Sequence, residues 1–427
     1  MAVHMTKDAF EQEEVLEQLR TLYGSREEVV TAQSERYRHL LDRHAHTFEA
    51  QGPVRLISAP GRMEIGGNHT DHNHGKVLAA SASLDTLAAV SPRGDTLIHV
   101  RSEGYPPITV DLKNLEHEEG EEGTTTGLIR GVAARMRELG MRIGGFDAAV
   151  TSTVVSGSGL SSSAAFEVLV TAILDRLYGS GDMDFVTSAR ISQFAENVYF
   201  GKPSGLLDQM ASAAGGLVAM DFGGEEPEVQ RLSYDFARKG FALAVVSTGG
   251  SHADLTDAYA SVPAEMKTVA EALGGKYLRD VSPDTFRNAI PELKGRVSDR
   301  ALLRAIHFYQ ENERVDRQVR ALQEDRLNDF LEAIIESGRS SFMYLQNVYA
   351  FPKNQPLSLA LALSEEVLRG RGAWRVHGGG FAGTTLNFVP FDLLDDFTAL
   401  MEGVFGKGSC HILNIRPQGA SEVTVRD

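Results

Sequence analysis

Phosphate chemistry is the most direct reading of Val154-Val155-Ser156-Gly157-Ser158-Gly159-Leu160-Ser161-Ser162-Ser163-Ala164-Ala165, where glycines and hydroxyls gather between two apolar runs. Gly157 and Gly159 let the backbone approach a ligand closely and adopt dihedrals closed to other residues. A helix opening here brings free N–H groups and a dipole that favour an anion. Three consecutive serines add hydroxyls that can bond phosphate oxygens or complete a magnesium shell. Gly157, Ser158, Gly159, Leu160, Ser161, Ser162 and Ser163 are therefore read as a phosphate cradle. The same letters also fit a plain strand-to-helix connection with Ser161 or Ser162 as N-cap, so the loop alone does not decide. No G-x-x-x-x-G-K-[ST] occurs in the chain, which excludes a P-loop, and G-x-G-x-x-S departs from the dinucleotide fingerprint.

Two further stretches carry chemistry. Ala59-Pro60-Gly61-Arg62-Met63-Glu64-Ile65-Gly66-Gly67-Asn68-His69-Thr70-Asp71-His72-Asn73-His74-Gly75-Lys76 is too rich in glycine, charge and imidazole for ordinary packing material, and reads as a functional loop. His69, Asp71, His72 and His74 invite a metallohydrolase reading, but the H-x-H-x-D-H order needs a histidine where Gly67 stands. Gly201-Lys202-Pro203-Ser204-Gly205-Leu206-Leu207-Asp208-Gln209 offers Asp208 either as a proton acceptor or as a helix cap. Trp374 reads as packing, His307 and Glu311 as a solvated pair one helical turn apart, and Lys76 as a phosphate neutraliser or a solvent-facing cation.

Positioning these residues requires a layered α+β chain. Phe146, Ala148, Val150, Ser152 and Val154 alternate as a strand into the cradle, and Ala165, Leu169, Ala172, Ile173 and Leu177 recur as a helix that stops at Gly179. Residues 8–46 predict two outer helices, and 114–125 an acidic surface loop without assigned chemistry. The last quarter alternates helix and strand through Gly378-Gly379-Gly380-Phe381-Ala382-Gly383. The expected division is a helical segment 1–50, an N-terminal nucleotide and sugar lobe 51–216 and a C-terminal lobe 217–427. A net charge of −16 over 427 residues argues against nucleic-acid binding. One cysteine, Cys410, and no long apolar run point to a cytoplasmic protein without a membrane partner.

Taken in order, the stretches 60–71, 157–165 and 378–383 resemble the GHMP kinase superfamily, and within it the galactokinases. The resemblance covers about Leu56 to Ile415. The family's G-R-V-N-L-I-G-E-H-T-D-Y is matched by Gly61 to His72, and its G-x-P-C-G-x-x-D-Q by Gly201 to Gln209. It implies a two-lobed fold, with a ribosomal-protein-S5-like N-terminal lobe and a ferredoxin-like C-terminal lobe. It also implies transfer of the ATP γ-phosphoryl group to the C1 hydroxyl of galactose, with Mg²⁺. By the same resemblance Asp208 is the base and Arg62 stabilises the transition state. Ser163 and Glu196 hold magnesium, and Asn68, His69, Asp71, Gly205 and Tyr259 hold the sugar. The expected assembly is a monomer or weak dimer. Asn68 and His72 stand where the family has Glu and Tyr, so a hexuronic acid such as galacturonate is the alternative substrate. A catalytically silent sugar sensor is the third reading. Ala382 and Ser204 also depart from the pattern.

Overall fold

A computed structural model of the chain describes residues 5–50, 52–154, 159–249, 255–381 and 383–425. Helices α1 (Glu13–Tyr23) and α2 (Glu27–Thr47) lead into the long antiparallel pair β1 (Arg55–Gly66) and β2 (Lys76–Pro92). After β3 (Leu97–Ser102) and β4 (Ile108–Asp111), helix α3 (Thr125–Glu138) crosses to β5 (Phe146–Ser152), which pairs parallel with β3 and antiparallel with β2. Helices α4 (Ser162–Tyr178), α5 (Phe185–Phe194) and α6 (Leu207–Ala214) follow, then β6 (Leu217–Asp221) and β7 (Glu228–Leu232). Successive residues of β1 and β2 face opposite ways. Ile57, Ala88 and Val90 pack under α3 and α4, while Leu56, Leu87 and Ala89 pack under α1 and α2. The N-terminal helices are thus the second cover of this sheet.

The second half supplies β8 (Phe241–Ser247), α7 (Thr256–Ala272), α8 (Pro283–Leu293), α9 (Asp299–Gln323), α10 (Leu327–Ser340) and α11 (Pro356–Leu368). It ends with β9 (Ala373–His377), β10 (Thr384–Pro390), α12 (Leu394–Phe405), β11 (Cys410–Leu413) and β12 (Ser421–Val423). Its four-stranded sheet runs β11-β8-β10-β9, while β12 returns to pair with β1. One core joins the lobes: Met63, Ile65, Leu78 and Ala80 of the first sheet meet Val315 of α9, Phe330 and Ile334 of α10 and Phe388 of β10. The two-lobed α+β expectation holds.

Two expectations are corrected. The stretch from Pro60 to Gly66 is not a loop but the buried continuation of β1, with register shifts between Pro60 and Arg62 and between Glu64 and Gly66. Bulges absorb the glycine and proline there and re-aim the side chains between them. Second, β6 pairs with β2 and β7 with β6, so the first sheet extends to Leu232, past the expected boundary at 216. Trp374 is a buried core residue, as read. Lys76 pairs with Asp316 at 2.8 Å and lies 3.7 Å from Asp221, which occupies its charge with carboxylates. Among the described residues no helix is long and apolar enough to cross a membrane.

Candidate active site

Arg62 projects from the bulged part of β1 and is fixed at three points. Its backbone N–H donates to Leu160 O (3.1 Å), one guanidinium nitrogen donates to Gly159 O, and Nε donates to Asp208 Oδ1 at 2.6 Å. Gly61 is required beside it, since a Cβ there would lie 2.9 Å from Leu160 O. Ser161 occupies the N-cap position of α4 with φ 56° but makes no capping bond; its hydroxyl donates to Asp208 Oδ2. The plain capping reading of the serines therefore does not describe Ser161. Burial works to raise the Asp208 carboxyl, but Arg62 and Ser161 outweigh it and hold it below the usual carboxylate range. Arg62 is 7% exposed and Asp208 27%, so the carboxylate opens to solvent while its cation is locked behind it. Gly157 and Ser158 lie outside the described residues. Ser162 and Ser163 open α4, and Leu160 is buried.

A second carboxylate centre adjoins the cradle. Helix α5 runs into a π-helical turn, Ala195–Tyr199, which carries Glu196 inward to 1% exposure. Such turns occur mostly as local insertions at functional sites. Ser163 Oγ donates to Glu196 Oε1 (2.9 Å), as does Lys202 Nζ (2.8 Å), and Oε2 accepts from Ser204 Oγ and Gln209 Nε2, both at 2.7 Å. Gln209 Nε2 also reaches Oε2 of fully buried Glu167 (3.1 Å), whose Oε1 has no partner. Burial, then the Glu196 charge, push the Glu167 carboxyl well up. An all-oxygen set from Ser163 and Glu196 at a helix N-terminus suits a hard divalent cation that keeps several waters, so these residues fit magnesium.

The sugar segment is latched by consecutive carbonyls of the third motif. Gly378 O accepts from Asn68 Nδ2 (2.8 Å), Gly379 O from His69 Nε2 (2.9 Å), and Gly380 O from the Tyr259 hydroxyl (2.7 Å). Asn68 is fully buried: its Nδ2 also donates to Glu64 (2.9 Å) and its Oδ1 accepts from Ser341 (3.0 Å) and Asn347 (2.8 Å). Both ends of its amide are taken by protein, which departs from the expected sugar contact. Relative to G-R-V-N-L-I-G-E, carboxylate and amide have traded places, because Glu64 stands where that pattern has Asn. The negative charge is relocated, not lost, and Arg375 pairs with it at 2.7 Å. Burial pushes the Glu64 carboxyl up to about 7 against the pull of Arg375 and Arg62.

Asp71 and Gly205 meet directly: a Cβ on Gly205 would lie 1.8 Å from Asp71 Oδ2. His69 adopts φ 58°, its Nε2 carries the proton donated to Gly379, and Nδ1 has no hydrogen-bond partner. Burial, helped by His72, lowers the His69 imidazole to about 3. His74 turns away to stack on Tyr277 at 3.9 Å, while His69 and His72 stay stacked with ring centres 6.0 Å apart.

Sequence reasoning missed the supports from the second lobe. Glu311 and His307 are both fully buried, contrary to the solvated-pair reading. Glu311 Oε1 accepts from Gly67 N (3.1 Å), Asn68 N (3.4 Å) and Ser337 Oγ (2.5 Å), while Oε2 is held by Arg314. His307 Nε2 donates to Asn68 O at 2.9 Å. His377, 1% exposed, accepts the Glu64 N–H at 3.0 Å. The exchange of Glu64 with Asn68 was the available sequence signal; nothing local pointed to helix α9. Ala382 lies outside the described residues.

Comparison with known proteins places these observations. Residues 42–92 match the description "Galactokinase galactose-binding signature" and residues 127–216 "GHMP kinases N terminal domain". The chain is 33% identical over 356 residues to a galactokinase of Streptomyces coelicolor, covering 83% of this chain and 89% of that protein. A galactokinase of Clostridium tetani is 27% identical over 369 residues, covering 84% and 89%. In fold, the chain is similar to a Lactococcus lactis galactokinase crystallised with galactose, with TM-score 0.78, 24% identity, and 90% and 98% of the two chains covered. Methanococcus jannaschii mevalonate kinase is similar at TM-score 0.61, with 13% identity and 86% and 99% covered.

Proposed function

The chain belongs to the galactokinases, within the GHMP kinase superfamily, and from that premise we propose that it transfers the γ-phosphoryl group of ATP to the C1 hydroxyl of galactose. The observation that carries the reading is Asp208 held ionised between Arg62 and Ser161 yet part-exposed, bonded to the cradle through Ser161 and three residues after Gly205, which packs on Asp71.

In this reaction the C1 oxygen bonds to the γ-phosphorus, the bond from that phosphorus to the β–γ bridging oxygen breaks, and ADP leaves with the electron pair. A carboxylate held below its usual range is a weak base toward a free hydroxyl. Asp208 therefore orients the hydroxyl in the ground state and takes its proton late, once the forming O–P bond has acidified it. Arg62, fixed by two cradle carbonyls, faces charge on the moving phosphoryl oxygens without having to reorganise. Ser163 and Glu196 would hold Mg²⁺, which supplies charge neutralisation on the phosphates when bound. Gly159 to Ser163, with Gly157 and Ser158, would cradle those phosphates. Asp71, His69, Gly205 and Tyr259 form the proposed galactose wall, and Asn68 shapes it from behind. ATP and galactose would meet between the first sheet with its helices and the second-lobe helices that brace the sugar segment. The proposed assembly is a monomer or weak dimer, working in the cytoplasm where ATP is supplied.

The test is ADP release with ATP and Mg²⁺ over galactose, glucose, galactosamine, N-acetylgalactosamine and galacturonate. Galactose should be turned over, and Asp208→Asn should lose about 10³-fold or more in rate. Galactose bound without turnover would overturn the proposal.

A further inference from the structure

Glu196 has no free acceptor site. Oε1 is shared by Ser163 Oγ and Lys202 Nζ, and Oε2 by Ser204 Oγ and Gln209 Nε2, all between 2.7 and 2.9 Å. A carboxylate has about four lone-pair sites, so this one is saturated by protein. If Glu196 and Ser163 hold the divalent cation, one of the four donors has to withdraw. Ser163 is the fellow ligand and stays. Gln209 is fully buried, and its amide also bonds Glu167. Ser204 is tied to Asn197 by both its backbone N–H (2.7 Å) and its hydroxyl (3.1 Å). Lys202 differs on two counts: its side chain is 56% exposed, and it is a cation on the oxygen that a second cation would use. Packing leaves it room to swing, and like-charge repulsion selects it to do so.

We propose that Lys202 is a place-holding cation. It neutralises Glu196 while the metal is absent, gives up Oε1 when a divalent cation is bound, and carries its ammonium to the ATP phosphates. This rests on the reading of Ser163 and Glu196 as the metal ligands. The backbone keeps the lysine in place during the exchange, because Lys202 N donates to Glu196 O at 3.1 Å and Pro203 follows. Glu196 also bonds Ser163 in the first turn of α4, so a released ammonium starts beside a helix N-terminus where anionic oxygens are favoured. A compact ammonium on a flexible stem suits such a point-charge role.

The experiment reads metal binding and nucleotide use separately. Mn²⁺ binding to the nucleotide-free protein is measured by electron paramagnetic resonance in the parent, Lys202→Met, Lys202→Arg and Glu196→Gln. Steady-state KM for ATP is measured at saturating Mn²⁺. Lys202→Met should bind Mn²⁺ about tenfold tighter, because a competing cation is gone, and should raise the KM for ATP about tenfold. Lys202→Arg should stay near the parent on both. A lysine with only a structural role would not shift the two quantities in opposite senses. Unchanged or weaker Mn²⁺ binding in Lys202→Met, with binding lost in Glu196→Gln, overturns the place-holder while leaving the metal ligands standing. Undiminished Mn²⁺ binding in Glu196→Gln overturns the ligand assignment, and the place-holder with it.

Discussion

At Gly205 the whole side chain is a single hydrogen, and the neighbouring carboxylate depends on that. A methyl at this position would sit 1.8 Å from Asp71 Oδ2 and 2.6 Å from its Cγ, so Asp71 has to move. Gly205→Ala should therefore lower kcat/KM for galactose about 10²-fold while leaving the KM for ATP near the parent's, which sugar and nucleotide titrations separate. His69 gives a pH signature. Its imidazole is held at about 3 by burial, against 6.5 when free, so the folded state refuses a proton that the unfolded chain accepts. Its contribution to stability is complete above pH 6.5 and is lost as pH falls toward 3, at up to about 1.4 kcal/mol per pH unit. Glu64 and Glu167, pushed up, act in the opposite sense, so a variant must isolate the histidine. Asn accepts the φ of 58° at this position. Chemical denaturation of His69→Asn between pH 7.5 and 5 should lose less stability on acidification than the parent; parallel curves would refute this. Arg62, Asp208, Ser163 and Glu196 were legible from motif spacing, and the structure does bring each pair into contact. The saturated Asn68 was not, because its four partners come from residues 64, 341, 347 and 378.

Helix α9 shows what an element contributes that its own sequence conceals. Its pattern marks it as a helix, and the structure places it at Asp299–Gln323, but His307 and Glu311 look like surface polar residues until the loop they grip is known. That loop, Gly67-Asn68, has two backbone N–H groups without strand partners, and Glu311 supplies the acceptor. Burial works to raise the Glu311 carboxyl, but Arg314 and His307 bring it down to about 2, so it stays charged throughout the working range. Removing it leaves the buried Arg314 with only its longer contact to Glu336, at 3.5 Å. Glu311→Leu should cost about 3–5 kcal/mol in urea denaturation. Ser337→Ala, which removes one neutral donor to the same oxygen, should cost about 1 kcal/mol. Equal losses would mean that the charge does not carry the grip. The opposite error befell β1: proline, glycine and charges argued for a loop from Pro60 to Gly66. Tertiary partners won, because Arg62 and Glu64 find Asp208 and Arg375, and the two bulges take up the awkward backbone.

Across the whole molecule, one buried carboxylate ties segments that are far apart in sequence. Asp85 of β2 is fully buried and meets Arg36 from α2 (2.7 Å), Arg416 near the C-terminal end (2.9 Å) and the Tyr23 hydroxyl from α1 (2.5 Å), which in turn bonds Tyr37 (2.8 Å). No spacing rule links residues 23, 36, 85 and 416, which is why residues 8–46 read as outer helices without the sequence saying which sheet they cover. Burial alone would raise the Asp85 carboxyl; Arg36 and Arg416 hold it down, so one carboxylate serves two guanidinium groups. Asp85→Ala strands two guanidinium groups and should lower stability by about 3–5 kcal/mol, read from the urea midpoint. Asp85 also stands opposite Pro60 at the edge of the bulge that aims Arg62, so catalysis is not automatically insulated from the change. Arg62, however, is independently fixed by Leu160, Gly159 and Asp208. Well below its melting temperature, Asp85→Ala should therefore keep kcat and both KM values near the parent's. A fall in kcat at unchanged KM would show instead that the bulge is aimed from behind, by the clasp that closes the N-terminal helices and the returning strand onto the sheet.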